Sequence, residues 1–253
     1  MGYTCGTEVV RDGLIFYVDA ANHKSYVSDS TIVNSFMGGY SGSFQGSTLP
    51  TFTTSSLGSW EFSGNVNNQK INFNETATST FTSSLDPQLN SFTANIFFKI
   101  DPNAPNTSGV IFSKGNKSSN RVGWLMYYNK PQGTLYIRCC GEELNSNQRA
   151  SRSYSIDTDR VYMATLVIDR EQNKFFGYLD GKNPSGGFAS MLESPEYITP
   201  FGSIIAPKPL LMGTRDDNSL PLKGNIYLAQ IYNRALSPKE VLKNYNALGG
   251  RFN

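Results

Sequence analysis

At 253 residues, 38% hydrophobic and 13% aromatic, the chain carries enough apolar mass for a full core. Only 17% of residues are charged and the net charge is +2, with no run of like charges, which excludes binding of nucleic acid or membrane by charge. No apolar stretch approaches the ~20 residues that cross a bilayer. The opening "MGYTCGTEVVRDG" has no basic stretch followed by an apolar one, so no secretory signal is expected and the chain reads as made in a cytoplasm.

Taken in chain order, the elements follow a period of two. "GLIFYVDA" puts Leu14, Phe16 and Val18 on one face and Ile15, Tyr17 and Asp19 on the other. From Ser25 to Leu57 no period is sustained, which predicts a long surface connection with an irregular strand near "STLPTFTT". "GSWEFSG" and "QKINFN" are short strands, and "FTANIFFKI" from Phe92 to Ile100 is a longer one that stops at "DPNAPNTSG". "GVIFSKG", "VGWLMYYN", "GTLYIRC", "RVYMATLVID", "KFFGYLDG", "KPLLMG" and "GNIYLAQIYN" follow, separated by Gly, Pro, Asn and Asp turns. About eleven strands at short intervals predict a sandwich or barrel. "RVYMATLVID" and "VGWLMYYN" are apolar on both faces, so their outer faces need a loop, a helix or a partner over them.

The chain ends on one well-marked helix. Ser237 is the N-cap, Pro238 the first helical residue, and Glu240 completes a capping box. Leu236 and Val241 form a hydrophobic staple. Val241, Leu242, Tyr245 and Leu248 make an apolar stripe, and Gly249 and Gly250 stop the helix. So short a helix must dock on the sheets to be stable.

"YLAQIYNRALSPKEVLKNYNA" resembles the closing strand and helix of laminin-G-like, concanavalin A-like jelly-roll domains. "GLIFYVDAANHKSY", "GSWEFSGNVNNQKINF", "SFTANIFFKI", "GVIFSKG", "VYMATLVIDREQNKFFGYLDGK" and "KPLLMGTRDDNSLPLKGNIYLAQIYN" match the family's other elements in order. The resemblance implies an all-β, two-sheet antiparallel jelly roll with a short C-terminal helix. It makes residues 1–253 one domain, with a core over about 13–252 and an irregular segment over about 25–57. "LIFYVDAANHKSY" and "YNALGGRF" look most like versions encoded by tailed bacteriophages and other large viruses. That implies a virion structural protein, a capsid decoration or a tail- or fibre-associated component, with capsid or tail proteins as partners and a homo-oligomer open. The alternative is a free or cell-surface lectin.

Catalysis is not expected. Glycoside hydrolysis needs two carboxylates across a cleft, and the E-x-D-x-E run of hydrolases on this fold is absent. Glu142 and Glu143 are adjacent, as are Asp216 and Asp217, so each pair would point to opposite faces. His23 is the sole histidine, and no G-x-S-x-G elbow accompanies it. Carbohydrate adhesion would use loop and rim groups, with Trp124, Tyr127, Tyr128, Arg215 and Asn218 as candidate contacts to host surface glycans. No cofactor is expected. Calcium is a lesser option, through Asp180, Asp216 and Asp217, although solvated turns explain those residues better. Ile32, Val33, Phe36 and Met37 are candidate particle contacts, because unperiodic apolar residues need cover. Cys5, Cys139 and Cys140 suggest reduced thiols, and the sequons at Asn74, Asn106 and Asn116 carry no weight without secretion.

Overall fold

The computed structural model describes residues 8–55, 57–64, 68–73, 85–105, 107–115, 122–141, 149–183, 202–206 and 208–252. Cys5, Glu142, Glu143 and the three sequon asparagines lie outside them. Among the described residues the strands are β1 (Leu14–Asp19), β2 (Ile32–Asn34), β3 (Ser41–Gln45), β4 (Thr51–Thr53), β5 (Ser59–Ser63), β6 (Lys70–Phe73), β7 (Phe92–Ile100) and β8 (Ser108–Gly115). They continue as β9 (Gly123–Asn129), β10 (Thr134–Cys140), β11 (Ala150–Ser155), β12 (Val161–Asp169), β13 (Lys174–Leu179), β14 (Leu210–Met212) and β15 (Lys223–Tyr232), and α1 (Pro238–Gly249) closes the chain.

The strands form two antiparallel sheets. The seven-stranded sheet runs β13-β12-β7-β15-β5-β4, with β1 also paired to β15. The eight-stranded sheet runs β11-β10-β9-β8-β14-β6-β3-β2. β15 organises the smaller sheet: one edge pairs with β7 throughout, and the other is shared by β5 and then β1, on either side of a bulge between Ile226 and Leu228. Phe16, Trp60, Phe73, Phe92, Phe112, Trp124, Leu166 and Ile231 fill the space between the sheets. Of the sandwich or barrel that the alternation predicts this is the sandwich, and it is the jelly roll that the resemblance implies.

Three strands went unforeseen. The 25–57 segment contains β2 and β3 as well as β4, and β11 follows β10. β3 reads "SGSFQ" and β11 "ASRSYS", each with one large apolar residue, Phe44 and Tyr154, turned inward. Burial by register made these strands, with little help from propensity.

The outer face of the smaller sheet is roofed. Phe97, Met163, Val167, Tyr227 and Tyr232 pack there with Val241 of α1, and Tyr245, Leu248 and Phe252 flank them. The cover predicted for the two-faced strand β12 is therefore α1. The capping box forms as expected, with the Glu240 N–H donating to the Ser237 hydroxyl and the Ser237 N–H donating to the Glu240 carboxylate. The stripe needs one correction. Leu242 is exposed, and Asn244 is fully buried in its stead. The Asn244 carboxamide accepts from the Val10 N–H at 2.8 Å and donates to the Tyr232 hydroxyl at 3.0 Å, which donates to the Val10 carbonyl.

Candidate functional site

β9 and β10 are neighbours in the larger sheet, and alternation sorts their side chains. Trp124, Met126, Tyr128, Leu135, Ile137 and Cys139 belong to the core between the sheets. Leu125, Tyr127, Tyr136 and Arg138 therefore face outward. Tyr127 lies opposite Tyr136 in register, and their rings stack with centroids 5.0 Å apart and planes 12° apart. Arg138, two residues along β10, lays its guanidinium over both rings, 4.8 Å and 4.4 Å from their centroids. Its Nε donates to Ser151 Oγ of β11 at 3.3 Å. Cation–π contact of this kind is worth ~0.5–1 kcal/mol at an exposed site and holds the guanidinium in place.

A cavity of about 260 Å³ opens beside this stack. Leu125, Tyr127 and Arg138 form part of its wall, Ser113 comes from β8, and Arg149 stands just before β11. Arg215 and Leu220 reach it from the loop of residues 213–222 between β14 and β15. That loop is closed on itself, the Leu222 N–H donating to the Gly213 carbonyl at 2.8 Å, and is stitched to β8 by the Val110 N–H donating to the Leu220 carbonyl at 2.8 Å. Gly213 has φ +90, and a Cβ there would meet the Phe62 ring, so glycine is required. Leu220, at the cavity wall, holds φ 59. A left-handed leucine costs ~1–3 kcal/mol, and such strain gathers at functional sites.

The sequence-predicted residues scatter about this cavity. Tyr128 is a core residue away from the cavity and is withdrawn as a glycan contact, whereas Trp124, also of the core, borders the cavity. Tyr127 is outward but 8% exposed, beneath Arg138. Arg215 lines the cavity and is fixed by Asp217, whose Oδ1 accepts its Nε at 3.1 Å, and by Ser219. Asn218 turns to Lys70, accepting from its Nζ at 2.6 Å. Asp216 pairs with Lys208 at 3.8 Å. Asp180 accepts from the Met163 N–H and from Arg160, while burial pushes its carboxyl upward. The three aspartates do not converge, and among the described residues no three His, Cys, Asp or Glu side chains form a metal-holding group.

Of the candidate particle contacts, Ile32 and Met37 are exposed. Val33 is a core residue and so is not available as expected, while Phe36 is half-buried and packs edge-on to Tyr17. His23 is exposed. Cys139 and Cys140 are buried, and burial pushes the Cys139 thiol far above its ordinary range. Among the described residues no helix is long and apolar enough to cross a membrane.

Tyr136, Arg138 and Arg149 were not foreseen. The alternation of "GTLYIRCC" does put Tyr136 and Arg138 on one face, but their meeting with Tyr127 depends on the β9–β10 register.

A two-sheet antiparallel jelly roll with a tyrosine- and arginine-walled cavity on one outer face has the fold of a lectin-like domain. The chain belongs to the concanavalin A-like lectin/glucanases superfamily, whose model matches residues 73–242. No curated protein matches the chain in sequence. Among solved structures, the receptor binding domain of botulinum neurotoxin C/D mosaic serotype is similar with a TM-score of 0.64 and 12% identity, over 94% of this chain and 52% of that one. The botulinum neurotoxin serotype G binding domain gives 0.61 and 14%, over 92% and 50%. Trypanosoma rangeli sialidase in complex with the inhibitor DANA gives 0.63 and 13%, over 95% and 34%. The chain thus spans about half of the toxin domains and about a third of the sialidase, and what it shares with them is the fold.

Proposed function

We propose that this chain is a non-catalytic adhesion domain of a viral particle and that a sugar ring binds in the cavity on the outer face of the larger sheet. The observation that carries the reading is the Tyr127–Tyr136–Arg138 stack beside that cavity. Mixed apolar walls with a few placed polar groups are what small-ligand sites use. Side chains fixed before the ligand arrives lower the ordering cost of binding. The non-catalytic reading rests on the sequence, which has no E-x-D-x-E run. Calcium has no part in this reading, since Asp180 and Asp217 are engaged by arginines.

The particle setting rests on the resemblance of the opening and closing elements to phage-encoded versions. The exposed surface adds to it: of the seven exposed large hydrophobic residues described, Val27, Ile32, Met37, Leu49 and Leu57 fall in one segment. That segment would dock on the particle, with Ile32 and Met37 replacing the four-residue patch expected from sequence.

A glycan array tests adhesion, run with the intact chain, with Tyr136→Ala and with a chelator. Binding that survives chelation and falls in the variant is expected; an array blank for the intact chain would overturn adhesion. Banding particles from the native source on a gradient tests the setting. Fixed stoichiometry with the capsid protein is expected, and a chain that stays in the soluble fraction would leave the free lectin.

A further inference from the structure

One cross-strand pair forms part of the cavity wall. Leu125 of β9 lies opposite Ser113 of β8 in register, and both line the cavity. Cross-strand partners stand on one face, so an apolar side chain and a hydroxyl sit side by side there. The Ser113 hydroxyl donates to the Thr214 carbonyl at 3.2 Å. Its proton is thus engaged by the 213–222 loop, and toward a ligand the oxygen serves as an acceptor.

The same loop brings a second apolar group. Leu220 lines the cavity, and its carbonyl accepts from the Val110 N–H at 2.8 Å, which pins it beside β8. Its φ of 59 is one that leucine adopts only at a cost. Asn218, two residues earlier, holds φ 60, where asparagine is at ease. Asn or Gly at 220 would close the loop with less strain. What leucine adds is an apolar side chain, half-buried at the cavity wall. Loop closure does not account for that choice; contact with a ligand does.

Leu125 is half-buried as well. A pair of leucines beside a fixed acceptor suits a ligand group that joins a methyl to an N–H donor. A plain hexose carries hydroxyls and no methyl, whereas an acetamido substituent holds the methyl and the N–H in one planar unit. We infer that the cavity selects an acetamido sugar, one N-acetylated ring, over the same ring bearing a hydroxyl. This rests on the glycan reading above and names the class of sugar. The acetamido N–H would donate to Ser113 Oγ while the methyl meets Leu125 and Leu220. Size limits the ligand to a single ring: the cavity holds about 260 Å³, and drug-sized ligands occupy sites of roughly 300–1,000 Å³.

N-acetylgalactosamine and galactose differ only in an acetamido group in place of one hydroxyl, as do N-acetylglucosamine and glucose. Each sugar would be titrated into the isotopically labelled chain, with backbone amide shifts giving both the location and the dissociation constant. Expected are shifts on β8, β9 and the 213–222 loop. One pair at least should show a preference of about tenfold for its acetamido member, the lower end of what a methyl gains in an apolar pocket. The preference should vanish in Leu220→Asn, which accepts the left-handed backbone and lacks the branched side chain. Its urea midpoint should be no lower than the parent's, so the lost preference would not reflect a lost fold. If the midpoint falls, Leu125→Ala decides instead, and it should lose the preference too. A preference that survives in the deciding variant would overturn the leucine contact. Equal binding within both pairs at these amides would overturn the acetamido class and leave the glycan reading standing. If none of the sugars moves these amides the acetamido class falls, and the array then decides whether the glycan reading falls with it.

Discussion

Lys114 sits in β8 with 0% of its side chain exposed, in a strand otherwise filled by Val110, Ile111 and Phe112. Its Nζ lies 3.4 Å from Asp86 Oδ2 and donates to the carbonyls of Ala206 and Lys208 at 3.3 and 2.7 Å. Asp86 in turn accepts from the Ala206 N–H at 3.2 Å. One ammonium thereby fastens the segment that leads into β14. Breaking such a pair strands a buried charge, so Lys114→Met should lose ~3–5 kcal/mol in urea unfolding, and Lys114→Met with Asp86→Leu should recover most of it. A double variant as unstable as the single one would mean that the tethered carbonyls, and not the stranded carboxylate, carry the loss. Thr165 is the opposite case: it is fully buried in β12 and its hydroxyl has no hydrogen-bond partner among the described residues. Thr165→Val keeps the shape and should leave stability unchanged or raise it by ~1 kcal/mol, read as a shift in the urea midpoint. Neither residue was legible in the sequence. "GVIFSKG" and "RVYMATLVID" read only as strands, because the groups that surround Lys114 come from residues 86 and 206–208, far off in the chain, and the burial of Thr165 depends on the sheet around it.

At the scale of elements, legibility follows how local the cause is. The start of α1 was readable because Ser237, Pro238 and Glu240 act on one another within four residues. Its buried face was misread at Leu242 and Asn244, since the choice between them was made by Val10 and Tyr232. Long strands such as β7 and β12 announced themselves by apolar content, whereas β2, β3 and β11 exist through pairing with neighbours. Glu240 also carries a pH signature. Hydrogen bonds from Arg234, at 2.7 and 3.1 Å, are the main cause that holds its carboxyl at about 2, assisted by the Ser237 N–H. An unfolded glutamate titrates near 4.3, so the folded value is depressed. The stabilisation is thus fully present above pH ~4.3 and is lost as pH falls toward about 2. Glu240→Gln should be less stable than the parent by ~1 kcal/mol at pH 6, a small figure because the pair is partly exposed to solvent. The two unfolding curves should converge as pH approaches 2. A gap that stays constant down to that pH would assign the loss to helix capping geometry and not to the ion pair.

Across the whole molecule, the two outer faces have different fates. On the smaller sheet, α1 and the segment around Val10 form a roof. Arg251 locks it down, donating to both Asp19 oxygens at 2.8 and 3.0 Å and to the carbonyls of Leu57 and Gly58. On the larger sheet, β9 and β10 turn Leu125, Tyr127 and Arg138 toward an open cavity. Both ends of the described chain belong to the roofed side: Val10 is hydrogen-bonded to Asn244, and Phe252 packs on Phe97 and Tyr227. The sandwich lies between those ends and the cavity, so anything attached at the ends is held away from the ligand. A bulky fluorescent protein fused at either end should therefore leave the dissociation constant of the cavity's ligand unchanged. The same protein inserted after Asn218, in the loop that carries Arg215, should abolish binding while the fold survives, as judged by an unaltered urea midpoint. Weaker binding with either terminal fusion would mean that the ligand also reaches the roofed face, and the cavity would then be only part of the site.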